Sequence, residues 1–577
     1  MLSKTFAILL VSLSLAFQIF GQKIIFDFSQ SSEYRNKNLL EFLSKNISQK
    51  KTKSIADSVL SKSDFFMKQN GYFFSEIKID SMKYSKDSTE LNVLLNIRKN
   101  KRSAISGINV YSDSNLDSAY VYDKMYLLIG KPFIPADVEK VFHKILQHYE
   151  NNGFPFAKIK IQSVKWDEKK NAQLFIKFIN GKSGTIDSIL IKGNSKTKDY
   201  VILRNLGIKK GEKYSRKNVL QAVKNLARLN FFSKISKPKF YYDTQNHGIL
   251  EIDVVEKNTN FFDGVIGYIP KTNNGGGFLT GYVKADLRNI FGTERAFNFE
   301  WKKLDKFSQY FDIAYTEPWI FAFPLNVNLQ VNQRKQDTSY VQRKYGITFE
   351  FIATANLKAS LLYSYEETIP FETNVLQINH STFNTSGIKF FYDKRDNVIL
   401  PVNGFLIQTT FKYSRKTIFE NNSQTATNNN DDLFRIEADV FGFLKIYKIN
   451  AVAAGLHFRD LESKNKEISD LYRFGGTNTV RGYSEDIFFG DKIIWGNLEY
   501  RILLSYSSLA FLFFDSGYYT NDLVNIDSGF PNKEFIYGYG AGLSFSTGLG
   551  IMKISFALGK GDSFSQAKIH FGLSNGF

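Results

Sequence analysis

The chain contains no cysteine. Disulfides, thiolate metal sites and cysteine nucleophiles are therefore excluded. Histidine is scarce too. The six histidines are scattered, and the pair His143 and His148 sits five residues apart, off a common helical face, so no metal site is expected. No glycine-rich loop stands in the strand–turn–helix context that a nucleotide needs, and no cofactor is expected. Beyond the N-terminus there is no long unbroken apolar run, and mean hydropathy is mildly negative. That excludes a bundle of membrane helices. It does not exclude a membrane barrel, whose alternating strands escape a hydropathy window.

What is abundant is aromatic. Phe and Tyr number 55 and 31, and aromatics reach 16%, above the level of an ordinary soluble enzyme. The chain of 577 residues is too long for one common domain. Its start, Met-Leu-Ser-Lys followed by an apolar run from Phe6 to Phe20 and then Gly21, reads as a secretory signal over 1–21. The residue after the cut is Gln22, not cysteine, which argues against a lipoprotein. Charge is uneven. Residues 21–260 hold 42 Lys+Arg against 24 Asp+Glu, while 261–577 hold 32 of each. The excess is either a habit of a lysine-rich organism or an attraction to acidic clients or anionic head groups. Nucleic acid is not an expected partner of an exported chain.

Between about 23 and 258 a pattern repeats: helix, Asn-Gly-type break, strand, turn, strand. Its second copy places Val138, Val141, Phe142, Ile145, Leu146 and Tyr149 at helical spacing. Asn152-Gly153, the strand Phe156–Ile161 and the strand Ala172–Phe178 follow. The first copy echoes it with Asn70-Gly71, Phe74–Ile79 and Leu91–Ile97. The third opens with Ile189–Asn194, carries Val219, Ala222, Val223, Leu226 and Leu229 on a helix, and closes with Ile249–Val255. Repeats over 22–100, 101–181 and 182–258, each of β-α-α-β-β type, are the expectation. Each is long enough for its own core.

From about 259 the texture changes to alternation. Counting back from Phe577, one face carries Leu573, Phe571 and Ile569, and the other carries Ser574, Gly572, His570 and Lys568. Met552, Ile554, Phe556 and Leu558 alternate likewise with Lys553, Ser555 and Ala557. At about 20 residues per strand and connection, residues 259–577 suit an all-β transmembrane barrel of about 16 antiparallel strands. The fold class is thus α+β repeats followed by a barrel.

Residues 474–486 read Phe-Gly-Gly-Thr-Asn-Thr-Val-Arg-Gly-Tyr-Ser-Glu-Asp, and 513–517 read Phe-Phe-Asp-Ser-Gly. With the aromatic end at Phe577, these resemble the bacterial surface antigen family of BamA and TamA, outer-membrane barrels that insert or export proteins. The repeats resemble that family's periplasmic POTRA modules. Gly193-Asn-Ser-Lys-Thr, Gly211-Glu-Lys-Tyr-Ser and Leu229-Asn-Phe-Phe are the closest match. Asp286–Gly292, Glu317-Pro-Trp319 and Tyr392–Asn397 resemble its barrel turns and hairpins. The resemblance implies that a long loop, about 460–490, folds back into the lumen, with Val480, Arg481, Gly482 and Tyr483 as its motif. Alternation supplies the partners. Leu512, Phe514 and Tyr518 are greasy, which turns Phe513, Asp515 and Gly517 inward, and the neighbouring strand adds Glu499 and Arg501. Gly538, Gly540 and Gly542 share the inner face of the next strand, where missing side chains let another backbone pass. Phe571, Leu573 and Phe577 form the terminal strand signal.

The function implied is assembly or translocation of unfolded outer-membrane or secreted clients, received by strand addition at the repeats. Three repeats look more like TamA than BamA. Accessory subunits in the periplasm or inner membrane, and outer-membrane lipid, are the other implied partners. The rival is a two-partner secretion pore for one dedicated substrate, which usually has two repeats and a plug helix. An enzyme is not expected: no domain has room for a fused lipase, and no nucleophile elbow is read.

Overall fold

The computed structural model describes residues 23–47, 52–86, 90–112, 117–269, 278–303, 305–371, 378–398, 400–419, 429–505, 508–523, 532–547 and 550–574. The leader expected over 1–21 and the terminal Gly576 and Phe577 lie outside the described residues. The chain divides into two compact units. One holds 1–189, 209–220 and 240–250; the other holds 190–208, 221–239 and 251–577.

In the first unit, strand Lys23–Phe28 leads into helices Lys37–Asn46 and Thr52–Gln69, then strands Glu76–Tyr84 and Glu90–Arg98. The last strand is central, parallel to the first and antiparallel to the one before it. The next module has the same layout. Its strands are Ile105–Ser112, Lys158–Trp166 and Ala172–Ile179, its helices Ser118–Tyr126 and Pro135–Asn151. Both modules carry a bulge at the same place, between Ile79 and Ser81 and between Ile161 and Ser163. A shared irregularity of this kind is a designed feature of a repeat rather than a defect.

Local chemistry sets the helix ends. Asn36 caps the first helix by accepting from the Asn38 amide. Pro135 opens the long helix, where its missing N–H costs nothing. The turns after the long helices need left-handed backbone, which Gly71 and Gly153 supply at φ +87° and +97°. The helices cover one sheet face. In the second module Val121, Ile145 and Tyr149 meet Leu174, Ile176 and Phe178 in a closed core. Each such side chain contributes about 1.5–3 kcal/mol by burial. A third small sheet has strands Ser188–Lys192, Gly248–Glu256, Phe232–Ile235 and Lys239–Tyr242, with helices Asp199–Leu206 and Arg216–Leu229.

The second unit is dominated by sixteen strands running from Phe261–Ile269 to Lys568–Ser574 in sequence order, every neighbour antiparallel. Alternation sorts the side chains. Leu512, Phe514 and Tyr518 are exposed on the outer surface, while Phe511, Phe513 and Asp515 are buried inside. Among the described residues the first strand pairs only with Phe278–Ile290, and the last only with Gly550–Gly559. No helix among the described residues is long and apolar enough to cross a membrane.

The loop expected over about 460–490 starts slightly later: the strand before it runs Asn450–Glu462, because its ladder continues through Arg459–Ile493 and Asp460–Lys492.

Candidate functional site

Between Glu462 and Lys492 the chain leaves the wall. Within this loop Tyr472–Phe474 pairs with Phe488–Gly490 as a two-stranded ribbon, which stiffens its base. Gly475, Gly476 and Gly482 all adopt positive φ, near +100°, where a side chain strains the backbone. Thr479 ties the turn by accepting the Gly475 amide through its hydroxyl, and Asn497 on the wall donates to the Thr479 carbonyl at 2.7 Å. Val480 is fully buried, packed with Phe474, Trp495, Tyr519 and Ile536.

This anchoring delivers Arg481 to the wall. Its Nε and Nη2 donate to Asp515 Oδ2 and Oδ1 at 2.7 and 2.8 Å, and Nη1 donates to Glu499 Oε1 at 2.8 Å. The Arg481 amide adds a further bond to Asp515 Oδ2 at 3.0 Å. The guanidinium lies 3.7 Å from the Phe513 ring centroid, within cation–π range. Arg481 is 3% exposed and Asp515 0%, so protein groups rather than water solvate these charges. Glu499 has further partners: Arg501 binds Oε2 through two nitrogens at 2.9 and 2.7 Å, and Lys553 Nζ reaches Oε1 at 3.1 Å. The three cations against two carboxylates are spread over the loop and three wall strands.

The glycines divide. A Cβ on Gly538 would lie 1.8 Å from the Arg481 carbonyl oxygen, so the loop backbone runs against it. Gly540 and Gly542, read as part of the same passage, face the rings of Phe513 and Phe511 instead. The reason is that those aromatic rings, one strand over, already occupy the lumen there. Gly517 abuts Val480, and Gly482 faces Gly559. Tyr483 hydroxyl donates to the Tyr537 carbonyl at 3.0 Å and accepts the Lys560 amide at 3.1 Å.

His570 was seen in the sequence only as an inner-face residue of the last strand. Its Nε2 accepts the Gly482 amide at 3.0 Å, and its Nδ1 lies 3.2 Å from the Thr477 hydroxyl. Lys553 was legible only as an inward position opposite Ile554; the charge pairing needed the third dimension. On the same last strand Ile569 and Phe571 are exposed outward, whereas the side chains of Leu573 and Phe577 lie outside the described residues. Against the expectation of no nucleophile elbow, the string Gly572-Leu-Ser-Asn-Gly576 has the Gly-x-Ser-x-Gly spacing of one. Its described part continues an extended ladder opposite Ile551–Lys553, not a strand–turn–helix bend. Among the described residues no cluster of three metal-ligating side chains occurs.

Comparison with known proteins gives consistent matches. The Omp85 superfamily domain matches residues 289–577, and the surface antigen variable number repeat, a POTRA unit, matches 184–257. The chain is similar to the outer membrane protein assembly factor BamA of Neisseria meningitidis, 20% identical over 61% of this chain and 44% of that protein. It is also similar to BamA of Neorickettsia risticii, 20% identical over 89% of this chain and 71% of that one. The chain spans about half the length of the Neisseria relative and of a third BamA, from Nitratidesulfovibrio vulgaris. Among solved structures, BamA from Haemophilus ducreyi lacking POTRA domains 1–3 aligns at a TM-score of 0.49 and 17% identity, over 81% of this chain and 98% of that one. CdiB from Escherichia coli aligns at 0.46 and 12%, over 90% and 97%.

Proposed function

Given that the chain belongs to the Omp85 superfamily, we propose that it assembles or translocates unfolded client proteins at the outer membrane. The barrel sits in that membrane and the POTRA repeats in the periplasm. The observation that carries the proposal is the pair of edge strands. Among the described residues, Phe261–Ile269 and Lys568–Ser574 each have one neighbour. An edge with unpaired amides and carbonyls is a template for another strand. A client strand adds there, and the repeats hold the client beforehand at their own sheet edges.

The division into a leader 1–21, repeats 22–100, 101–181 and 182–258, and a barrel from 259 belongs to this proposal. Its support is the order of three small sheets before the sixteen-stranded one. So does the inward loop, with Arg481, Asp515 and Glu499 as its anchor and Gly538 as its passage. The finer reading, a TamA-like division of labour, rests on the three repeats between 23 and 258.

The absence of native cysteine makes the test clean. A panel of cysteine pairs, one on 261–269 and its partner on 568–574, locks the seam under oxidation. Client insertion into vesicles should stop when locked and resume on reduction. A locked barrel that still inserts clients at the unlocked rate rejects the reading. One that exports a client through the lumen while locked supports the secretion-pore alternative.

A further inference from the structure

The outward face of the second small sheet differs from those of its neighbours. Its three strands, Ile105–Ser112, Lys158–Trp166 and Ala172–Ile179, contain no Asp or Glu. Side chains alternate along a strand, so residues flanking the buried Leu174, Ile176 and Phe178 point away from the core. On that face stand Lys158, Lys160 and Lys165, all exposed, beside Tyr111 and Phe175. Lys160 is placed directly opposite Lys177. Among the described residues none of Lys158, Lys160 and Lys165 has a carboxylate within ion-pair distance. Tyr111, 54% exposed, stacks on Phe175 with an 11° interplanar angle, and Lys165 Nζ lies 5.0 Å from the Phe175 ring centroid.

The neighbouring repeats show that this is not a uniform habit of a lysine-rich chain. In the third, the outward Lys192 and Lys239 meet Glu251 at 2.7 and 3.0 Å, and Lys239 also meets Asp253. In the first, Glu76 stands opposite Arg98 across the sheet. In the second repeat, among the described residues, Lys158, Lys160 and Lys165 have no such partner.

We propose that this face is a docking platform for an acidic, extended polypeptide segment. The lysines at 158 and 160 are two residues apart on one strand, about 6.5–7 Å. That is the spacing of alternate side chains in an extended peptide, so acidic residues at every second position meet them in register. The exposed Tyr111–Phe175 stack offers an apolar seat for a side chain between charges. The proposal rests on the reading of the protein as a handler of unfolded clients and names the kind of segment its second repeat takes. It concerns the sheet face, which leaves the sheet edges free for strand addition.

The test uses the full-length protein in detergent and a neutral-dye-labelled 12-residue peptide of alternating Glu and Val with a central Tyr. Wild type should bind this peptide and not its Lys counterpart. Lys158→Gln, Lys160→Gln and Lys165→Gln together should weaken binding about tenfold or more, and raised salt should weaken the wild type, as expected for steering by exposed charge. The triple Arg variant should bind as the wild type does. Circular dichroism checks the fold, which exposed lysines should not disturb. Unchanged affinity in the Gln triple overturns the proposal. So does a Gln triple that loses binding to phosphatidylglycerol vesicles while keeping the peptide, since the face is then a lipid contact. Client insertion into vesicles is measured in parallel. Insertion by wild type with unchanged peptide affinity in the Gln triple rejects the platform alone. Loss of peptide affinity in the triple with no insertion by wild type rejects the assembly reading alone.

Discussion

Removing the Arg481 side chain takes three donors from two buried carboxylates, Asp515 and Glu499. Breaking a buried pair from one side costs about 3–5 kcal/mol, mostly the penalty on the charge left behind. Arg481→Ala should therefore lower the unfolding midpoint of the detergent-solubilised barrel in urea and impair client insertion. Glu499 keeps Arg501 and Lys553, so Asp515 bears most of the loss. Arg481→Lys keeps charge but not the planar fork that takes both Asp515 oxygens, and should fall between wild type and Ala. The swap Arg481→Asp with Asp515→Arg should recover only part of either single loss. The Arg481 amide also donates to Asp515, and an arginine there has no acceptor for it. A swap no better than the worse single variant contradicts direct pairing.

At the scale of the element, the loop is held as much by missing side chains as by present ones. Gly538→Ala puts a methyl 1.8 Å from the Arg481 carbonyl oxygen, a backbone atom that moves only if the loop moves. Limited proteolysis should then cut within 463–491 faster than in wild type. Gly442→Ala, on another wall strand, has nothing within 4 Å of the added carbon and should leave the cleavage pattern unchanged. The same comparison shows what the sequence holds. Period-two alternation places Asp515, Glu499 and Gly538 on the inner face, because that depends only on the pleat. It cannot say that Gly540 and Gly542 receive Phe513 and Phe511, because cross-strand register decides which inner residues touch. Repeat helices are legible from Val138, Ile145 and Tyr149, whose spacing is local. His570 is not legible as a loop ligand, since its partner Gly482 is 88 positions away.

For the whole molecule, stability in acid is set partly in the third repeat. Lys192 and then Lys239, by hydrogen bonds and charge, hold the Glu251 carboxyl down at about 2, against an ordinary 4.5. A lowered folded value means the contribution is full above about pH 4.5 and lost as pH falls toward 2. Thermal melts should show a drop over this interval that Glu251→Gln flattens; an identical acid profile in that variant sinks the assignment. Elsewhere in the molecule, His570 ties the last strand to the inward loop by two short contacts, to Gly482 and Thr477. A strand that swings from the seam must release both. At about 0.5–1.5 kcal/mol each, they hold the swung state to a minority of molecules at any instant. On the proposed function, the seam would then open in brief, rare excursions, and an arriving client would set the tempo by capturing one before it closes.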